Sequence, residues 1–110
     1  MSSVKLSIIM PCYNCETTIQ ESIDSIYAQN VTFSFEIIMI DDGSTDGTYK
    51  LIKSLQDHHS EIHIFQNKTN MGECFSRNKA ISYCKGSIIG YLDADNLLDK
   101  DCLPNMVSFI

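Results

Sequence analysis

Apolar residues fall along this chain in two alternating rhythms, short unbroken runs and longer stretches at helical spacing. Leu6 to Met10 is a run of the first kind, closed by Pro11, and predicts a strand buried on both faces. From Thr17 to Ala28, Ile19, Ile23, Ile26 and Tyr27 recur at helical spacing, and Thr17 with Gln20 has the spacing of a capping box. The sequence predicts a helix there. Phe35 to Ile40 is a second strand, and Asp41-Asp42-Gly43-Ser44-Thr45-Asp46-Gly47 leads into a helix carrying Leu51, Ile52 and Leu55. Glu61 to Gln66 makes a weaker third strand. Asn70-Met71-Gly72 opens another helix, with Phe75, Ala80, Ile81 and Cys84 as its expected buried face and Gly86 as its stop. Ser87 to Leu92 is the fourth strand.

Strands and helices alternating through short links imply parallel strands joined by right-handed crossovers. The expected class is α/β, a Rossmann-like parallel sheet flanked by helices on both faces. No internal repeat, linker or low-complexity tract interrupts it, so residues 1–110 read as a single domain. Towards the end Leu103, Met106, Val107 and Ile110 share one helical face, with neither a Gly cap nor a polar tail after Ile110. The chain therefore reads as an incomplete domain, truncated where an apolar face would invite self-association.

Composition changes this picture only at its edges. A hydrophobic content of 44% suits a globular core, no apolar run reaches the roughly 20 residues of a membrane span, and no signal peptide pattern opens the chain. The expectation is an intracellular protein. Eight Lys and Arg against fourteen Asp and Glu give a formal charge of -6, which argues against a phosphate-backbone binder relying on a basic face, and so against nucleic acid as partner. An anionic ligand such as a diphosphate would need a metal to offset the local acid.

The five cysteines are odd in number, and Cys84 and Cys102 lie within apolar patterns, as reduced structural residues do. Cys12-Tyr13-Asn14-Cys15 differs, being a C-x-x-C between a strand and a helix, where thioredoxin-like redox pairs sit. As a zinc site it supplies two ligands only. His58, His59 and His63 match zinc spacing only by chance and are expected to be solvated.

Candidate chemistry gathers at the carboxyl ends of the strands, where open parallel sheets bind ligands at the reversal of strand order. Pro11 to Glu16 follows the first strand, Asp41 and Asp42 the second, and Asp93 to Asn96 the fourth. In an extended segment Asp93 and Asp95 point to the same side, and two close carboxylates repel unless a cation or proton lies between them. A hard divalent metal fits that need. On local grounds Asp41-Asp42-Gly43-Ser44 and Asp93-Ala94-Asp95 are equally turn signatures, Asp46 equally a helix cap, and Asp41 reads as structural.

Four segments in order, Ser7-Ile8-Ile9-Met10-Pro11-Cys12-Tyr13-Asn14, Glu36 to Asp46, Asn70-Met71-Gly72 with Arg77-Asn78, and Asp93-Ala94-Asp95, give the chain a specific resemblance. It resembles the N-terminal, nucleotide-binding part of a family 2 glycosyltransferase of GT-A fold. The resemblance implies a nucleotide site of Pro11, Tyr13, Asn14, Glu16, Asp42, Arg77 and Asp93, with Tyr13 packed near the base, Asp42 hydrogen-bonded to it and Arg77 close by. It implies that Asp93 contacts the ribose or the metal shell, and that Asp95 ligates Mn²⁺ or Mg²⁺ bridging the diphosphate. The implied reaction moves a sugar, with UDP the expected carrier, to a hydroxyl of a saccharide or lipid-linked acceptor, with inversion. The carboxylate base of that reaction belongs to the acceptor half beyond Ile110, so this chain would supply the donor site only. The implied location is cytoplasmic, at the inner face of a membrane for the full-length parent. Cys12 and Cys15 occupy variable positions of the family, and Asn96 stands where another Asp is frequent.

Three rivals stand beside this reading. A thioredoxin-like oxidoreductase would use Cys12 and Cys15 but leaves both acidic clusters unexplained and lacks a proline near the later strands. A Mg²⁺-binding receiver-like domain would want its acidic pair after the first strand, where Pro-Cys-Tyr-Asn stands. The third is a module that binds a nucleotide sugar without turning it over.

Overall fold

Strands and helices alternate as β1 (Leu6–Cys12), α1 (Ile19–Tyr27), β2 (Phe35–Asp42), α2 (Thr48–His58), β3 (Ile62–Asn67), α3 (Glu73–Ile81) and β4 (Ile88–Tyr91). The computed structural model describes residues 4–29 and 31–94, so the expectations placed on Asp95, Asn96, Cys102, Leu103, Met106, Val107 and Ile110 lie outside the described residues. The four strands are all parallel, in the order β3-β2-β1-β4. The sheet is the expected α/β one, with helices on both faces.

Side-chain alternation explains the two layers. Ile8 and Met10 stand beside Ile37 and Met39 on one face, where Ile19, Ile23 and Ile26 of α1 and Ile52 and Leu55 of α2 cover them. Ile9 and Ile38 stand on the other face with Ile40, under Ala80 of α3. Burying each such isoleucine contributes roughly 1.5–3 kcal/mol. With both faces apolar, hydrophobicity alone leaves the register loosely specified, because a one-residue slip exchanges one oily face for another. Buried polar pairs specify it instead. Ser7 and Glu36 are lateral partners and the Ser7 hydroxyl donates to the Glu36 carboxylate at 2.6 Å, while Gln66 donates to its partner Asp41 at 3.1 Å and Asn67 to its partner Asp42 at 2.9 Å.

Several local expectations are corrected. Pro11 does not close the first strand but sits within it, paired with Ile40. A proline is tolerated there because the β4 ladder on the other side reaches only Ile9, so no neighbour asks position 11 for an N–H. The Thr17–Gln20 capping box does not form, since α1 begins after Thr18 without a side-chain cap and Gln20 donates to Asp24 at 3.0 Å. On α3 the buried face is Ser76 and Ala80, and Phe75 and Ile81 are exposed. Two small residues one turn apart let the helix sit close on the sheet, which rotates the larger side chains outward. His63 is not merely solvated but pairs with Glu36 at 3.5 Å, and His59 stacks on Tyr27 with centroids 3.9 Å apart. Among the described residues no helix is long and apolar enough to cross a membrane.

Candidate functional site

Strand order reverses at β1, which has β2 on one side and β4 on the other. The loops leaving these three strands meet there. Asn14, in the left-handed region at φ 47°, turns the chain back after β1 so that its Oδ1 accepts the backbone N–H of Thr45 at 2.8 Å and of Asp46 at 3.3 Å. The Ser44 hydroxyl accepts Asn14 N–H at 3.0 Å, and the Thr48 hydroxyl accepts Cys15 N–H at 2.8 Å. The loop after β4 is held as firmly. Ala94 C=O accepts the hydroxyls of Thr18 at 3.1 Å and Ser22 at 2.8 Å, which pins Ala94, the residue after Asp93, onto the start of α1.

The meeting point is an open pocket of about 660 Å³. Of the residues anticipated from sequence, Pro11, Tyr13, Asn14, Asp42 and Asp93 line it. Glu16 and Arg77 do not. The Glu16 carboxylate accepts Gly47 N–H at 3.0 Å, serving the loop before α2. Arg77 is ion-paired to Glu73 one turn back and lies over the Tyr91 ring, 5.2 Å from its centroid. Asp95 lies outside the described residues.

Asp41 and Asp42 divide their work. Asp41 is fully buried and its two oxygens accept Ser44 N–H and the Gln66 amide, a structural role as expected. Asp42 is 4% exposed yet reaches the pocket wall. Its Oδ1 accepts the Asn67 amide at 2.9 Å and Met71 N–H at 2.7 Å, and its Oδ2 accepts Gly72 N–H at 3.0 Å.

Other walls were not anticipated as such. Thr18, Asn70 and Glu73 also line the pocket, and so do Cys12 and Cys15 of the Pro11 to Glu16 segment already expected at this edge, although both cysteines belong to the buried core. For Asn70 a signal existed in the Asn70-Met71-Gly72 helix opening; for Thr18 none did, because its part depends on Ala94, 76 residues away. The Cys12 thiol is pushed well above its ordinary value by its hydrogen bond with Cys15, by burial and by the nearby charges of Cys15 and Asp41. Cys15 is lowered by that same hydrogen bond, against burial, with help from the Thr48 hydroxyl and the Tyr13 backbone. Both are free thiols.

The walls described carry Asp42, Glu73 and Asp93 and no Lys or Arg. No three Asp, Glu, His or Cys side chains among the described residues form a metal-binding group. Carboxylate oxygens are nevertheless the right donors for Mg²⁺ or Mn²⁺, and a phosphate-bound metal needs only one or two of them.

Comparison with known proteins places this arrangement. EpsE of Bacillus subtilis, named as a glycosyltransferase, is 41% identical over 110 residues, covering 99% of this chain and 39% of EpsE. The Escherichia coli UDP-Glc:alpha-D-GlcNAc-diphosphoundecaprenol beta-1,3-glucosyltransferase WfgD is 34% identical over 110 residues, covering 100% of this chain and 42% of WfgD. This chain thus spans about two fifths of the length of these relatives. Among solved structures, Staphylococcus aureus TarS 1–349 in complex with UDP superposes with a TM-score of 0.89 at 30% identity, over 97% of this chain and 32% of that one. The same protein in complex with UDP-GlcNAc gives 0.87 at 31% identity, over 97% and 31%. A Pyrobaculum calidifontis mannosyltransferase in complex with GDP-Man and Mn²⁺ gives 0.80 at 25% identity, over 92% and 30%. The family model described as glycosyl transferase family 2 matches residues 7–110, and this chain belongs to that family.

Proposed function

We propose that these residues form the donor half-site of a glycosyltransferase that takes a sugar from a nucleotide carrier, UDP by preference, and passes it to an acceptor hydroxyl. The observation that carries this reading is the convergence of the loops after β1, β2 and β4 on one acidic pocket, with Tyr13 exposed at its wall and Asp42 fixed beneath. UDP and UDP-GlcNAc are the ligands named for the TarS complexes, and WfgD is named for a UDP-Glc donor, which supports uridine. Tyr13 offers a ring on which a base can stack, and Asp42 an acceptor for a ring N–H.

A diphosphate entering walls that hold Asp42 and Asp93 beside the Arg77-paired Glu73, with no Lys or Arg of their own, calls for a compensating cation. Asp93 with Asp95 would hold that Mn²⁺ or Mg²⁺, which stabilises the charge gathering on a departing nucleoside diphosphate. In the inverting reaction proposed, the acceptor oxygen bonds to the anomeric carbon as the bond to the diphosphate oxygen breaks, and the hydroxyl proton passes to a carboxylate base. That base is assigned to the length of the relatives that this chain does not cover. By itself the chain would bind the donor better than it turns it over, so a binding module without turnover is the neighbouring reading.

Calorimetric titration of UDP with and without Mn²⁺ tests the assignment. Binding in Mn²⁺ is expected to weaken at least roughly tenfold on removing the ion or in Asp95→Ala, a loss of about 1.4 kcal/mol or more. Metal-independent binding, or an unaffected Asp95→Ala, would sink the metal role. Cys12→Ser retaining UDP affinity, with no disulfide reductase activity in the parent chain, would retire the redox alternative; robust reductase activity would reinstate it.

A further inference from the structure

We infer that Asn67 is a positioning residue that aims the Asp42 carboxylate into the pocket, with Lys79 fixing the orientation of the Asn67 amide. The inference rests on the reading above that Asp42 meets the base of a nucleotide. Asn67 ends β3 as the lateral partner of Asp42 and is 5% exposed. Its Nδ2 donates both to Asp42 Oδ1 at 2.9 Å and to the buried Ser76 hydroxyl at 3.0 Å. Its Oδ1 accepts the Lys79 ammonium at 3.1 Å.

This chain of contacts admits one amide orientation. An ammonium is donor-only and an ionised carboxylate acceptor-only, so turning the amide over would set NH₂ against NH₃⁺ and oxygen against oxygen. The cation on the carbonyl also polarises the amide, strengthening the bond its other end makes to Asp42. Oδ1 is thereby occupied twice, by Asn67 and by Met71 N–H. Oδ2 takes Gly72 N–H and keeps lone-pair capacity on a residue that lines the pocket.

A carboxylate held this way selects by donor pattern. The uracil ring presents N3–H, which an acceptor-only oxygen can receive, whereas cytosine N3 is itself an acceptor and would face a buried carboxylate without a proton between them. Loss of Asn67 leaves Asp42 held by the Met71 and Gly72 amides of one loop alone, without its anchor on β3, and should blur that distinction before it unfolds anything.

The test is UDP and CDP affinity by calorimetry in Mn²⁺ for the wild type, Asn67→Ala, Lys79→Met, Asp42→Asn and the double variant Asp42→Asn/Asn67→Ala. Asn67→Ala is expected to weaken UDP roughly tenfold, to bring the UDP-to-CDP preference towards one at unchanged stoichiometry, and to add nothing on the Asp42→Asn background. Lys79→Met is expected to move the preference the same way by less. A role confined to folding would lower melting temperature or stoichiometry and leave the preference of the folded fraction intact; that outcome, or full additivity with Asp42→Asn, overturns the inference. If Asn67→Ala does not fold, Lys79→Met decides, and an unchanged preference there overturns it. Should Asp42→Asn leave UDP affinity and preference untouched while Asn67→Ala changes them, the assignment of Asp42 to the base is what fails.

Discussion

Gly43 shows how much of this site turns on one backbone position. It follows Asp42 at φ 70°, a conformation L residues adopt only under strain, and a Cβ there would stand 2.6 Å from the Thr69 carbonyl carbon and 2.7 Å from Asn70 N. The obstacle is backbone, so no side chain can move aside. Those same residues lead into Met71 and Gly72, whose amides hold Asp42. Gly43→Ala is therefore expected to cost about 1–3 kcal/mol in urea unfolding and to weaken UDP at the pocket; a wild-type midpoint would contradict this. Asn14 is the other residue whose backbone is functional, because its positive φ lets one side-chain oxygen hold two amides of the neighbouring loop. The sequence marked Asn14 as polar and well placed, but its partners thirty-odd residues away are a fact of the fold.

At the scale of elements, the start of α2 depends on Asp46. Its carboxylate accepts both the hydroxyl and the N–H of Thr48 and, at 3.4 Å, the N–H of Glu16. Desolvation works to raise the Asp46 pKa, yet the bonds from Thr48 and from the Glu16 backbone outweigh it and the group is lowered from its ordinary value. A folded-state value below the unfolded one means stability that is present above the ordinary carboxylate range and lost as pH falls through the lowered value. The stability gap between the protein and Asp46→Asn, followed as urea midpoint, should therefore be widest near neutral pH and close in acid; a gap that grows on acidification would refute the sign. α3 teaches the complementary lesson. Its apolar residues suggested a face of Phe75, Ala80, Ile81 and Cys84; Ala80 and the partly buried Cys84 do meet the core, but the helix lies on Ser76 and Ala80 and turns Phe75 and Ile81 outward, because close approach to the sheet rewards small side chains.

Across the whole molecule the sheet has two polar ends with different duties. At the carboxyl end stand the pocket, Asp42 and Asp93; at the amino end Glu36, 3% exposed, accepts the Ser7 hydroxyl at 2.6 Å and Lys85 N–H at 2.7 Å and pairs with His63. One carboxylate thereby ties β1, β2, β3 and the approach to β4. Glu36→Ala strands several of these donors in a dry place and is expected to cost on the order of 2 kcal/mol or more in unfolding experiments, while UDP affinity of the folded protein stays within about twofold. A large affinity change at unchanged stability would mean that the two ends are coupled.

What the amino-acid sequence determined by itself was whatever one segment can express alone. Runs such as Phe35 to Ile40 and the spacing of Ile19, Ile23 and Ile26 state strand and helix through local periodicity, and their alternation implies a parallel sheet whose carboxyl edge collects Pro11 to Asn14, Asp42 and Asp93. The quoted motifs also carried the family, since Glycosyl transferase family 2 matches residues 7–110. Only the tertiary structure decided that Pro11 lies inside β1, that Glu16 and Arg77 leave the pocket wall while Thr18 and Asn70 join it, and that Asn67 stands behind Asp42. The physical reason is range. Asn67 meets Asp42 across 25 residues of sequence and Thr18 meets Ala94 across 76, and such partners are set by strand order and register, which no periodicity within a segment encodes.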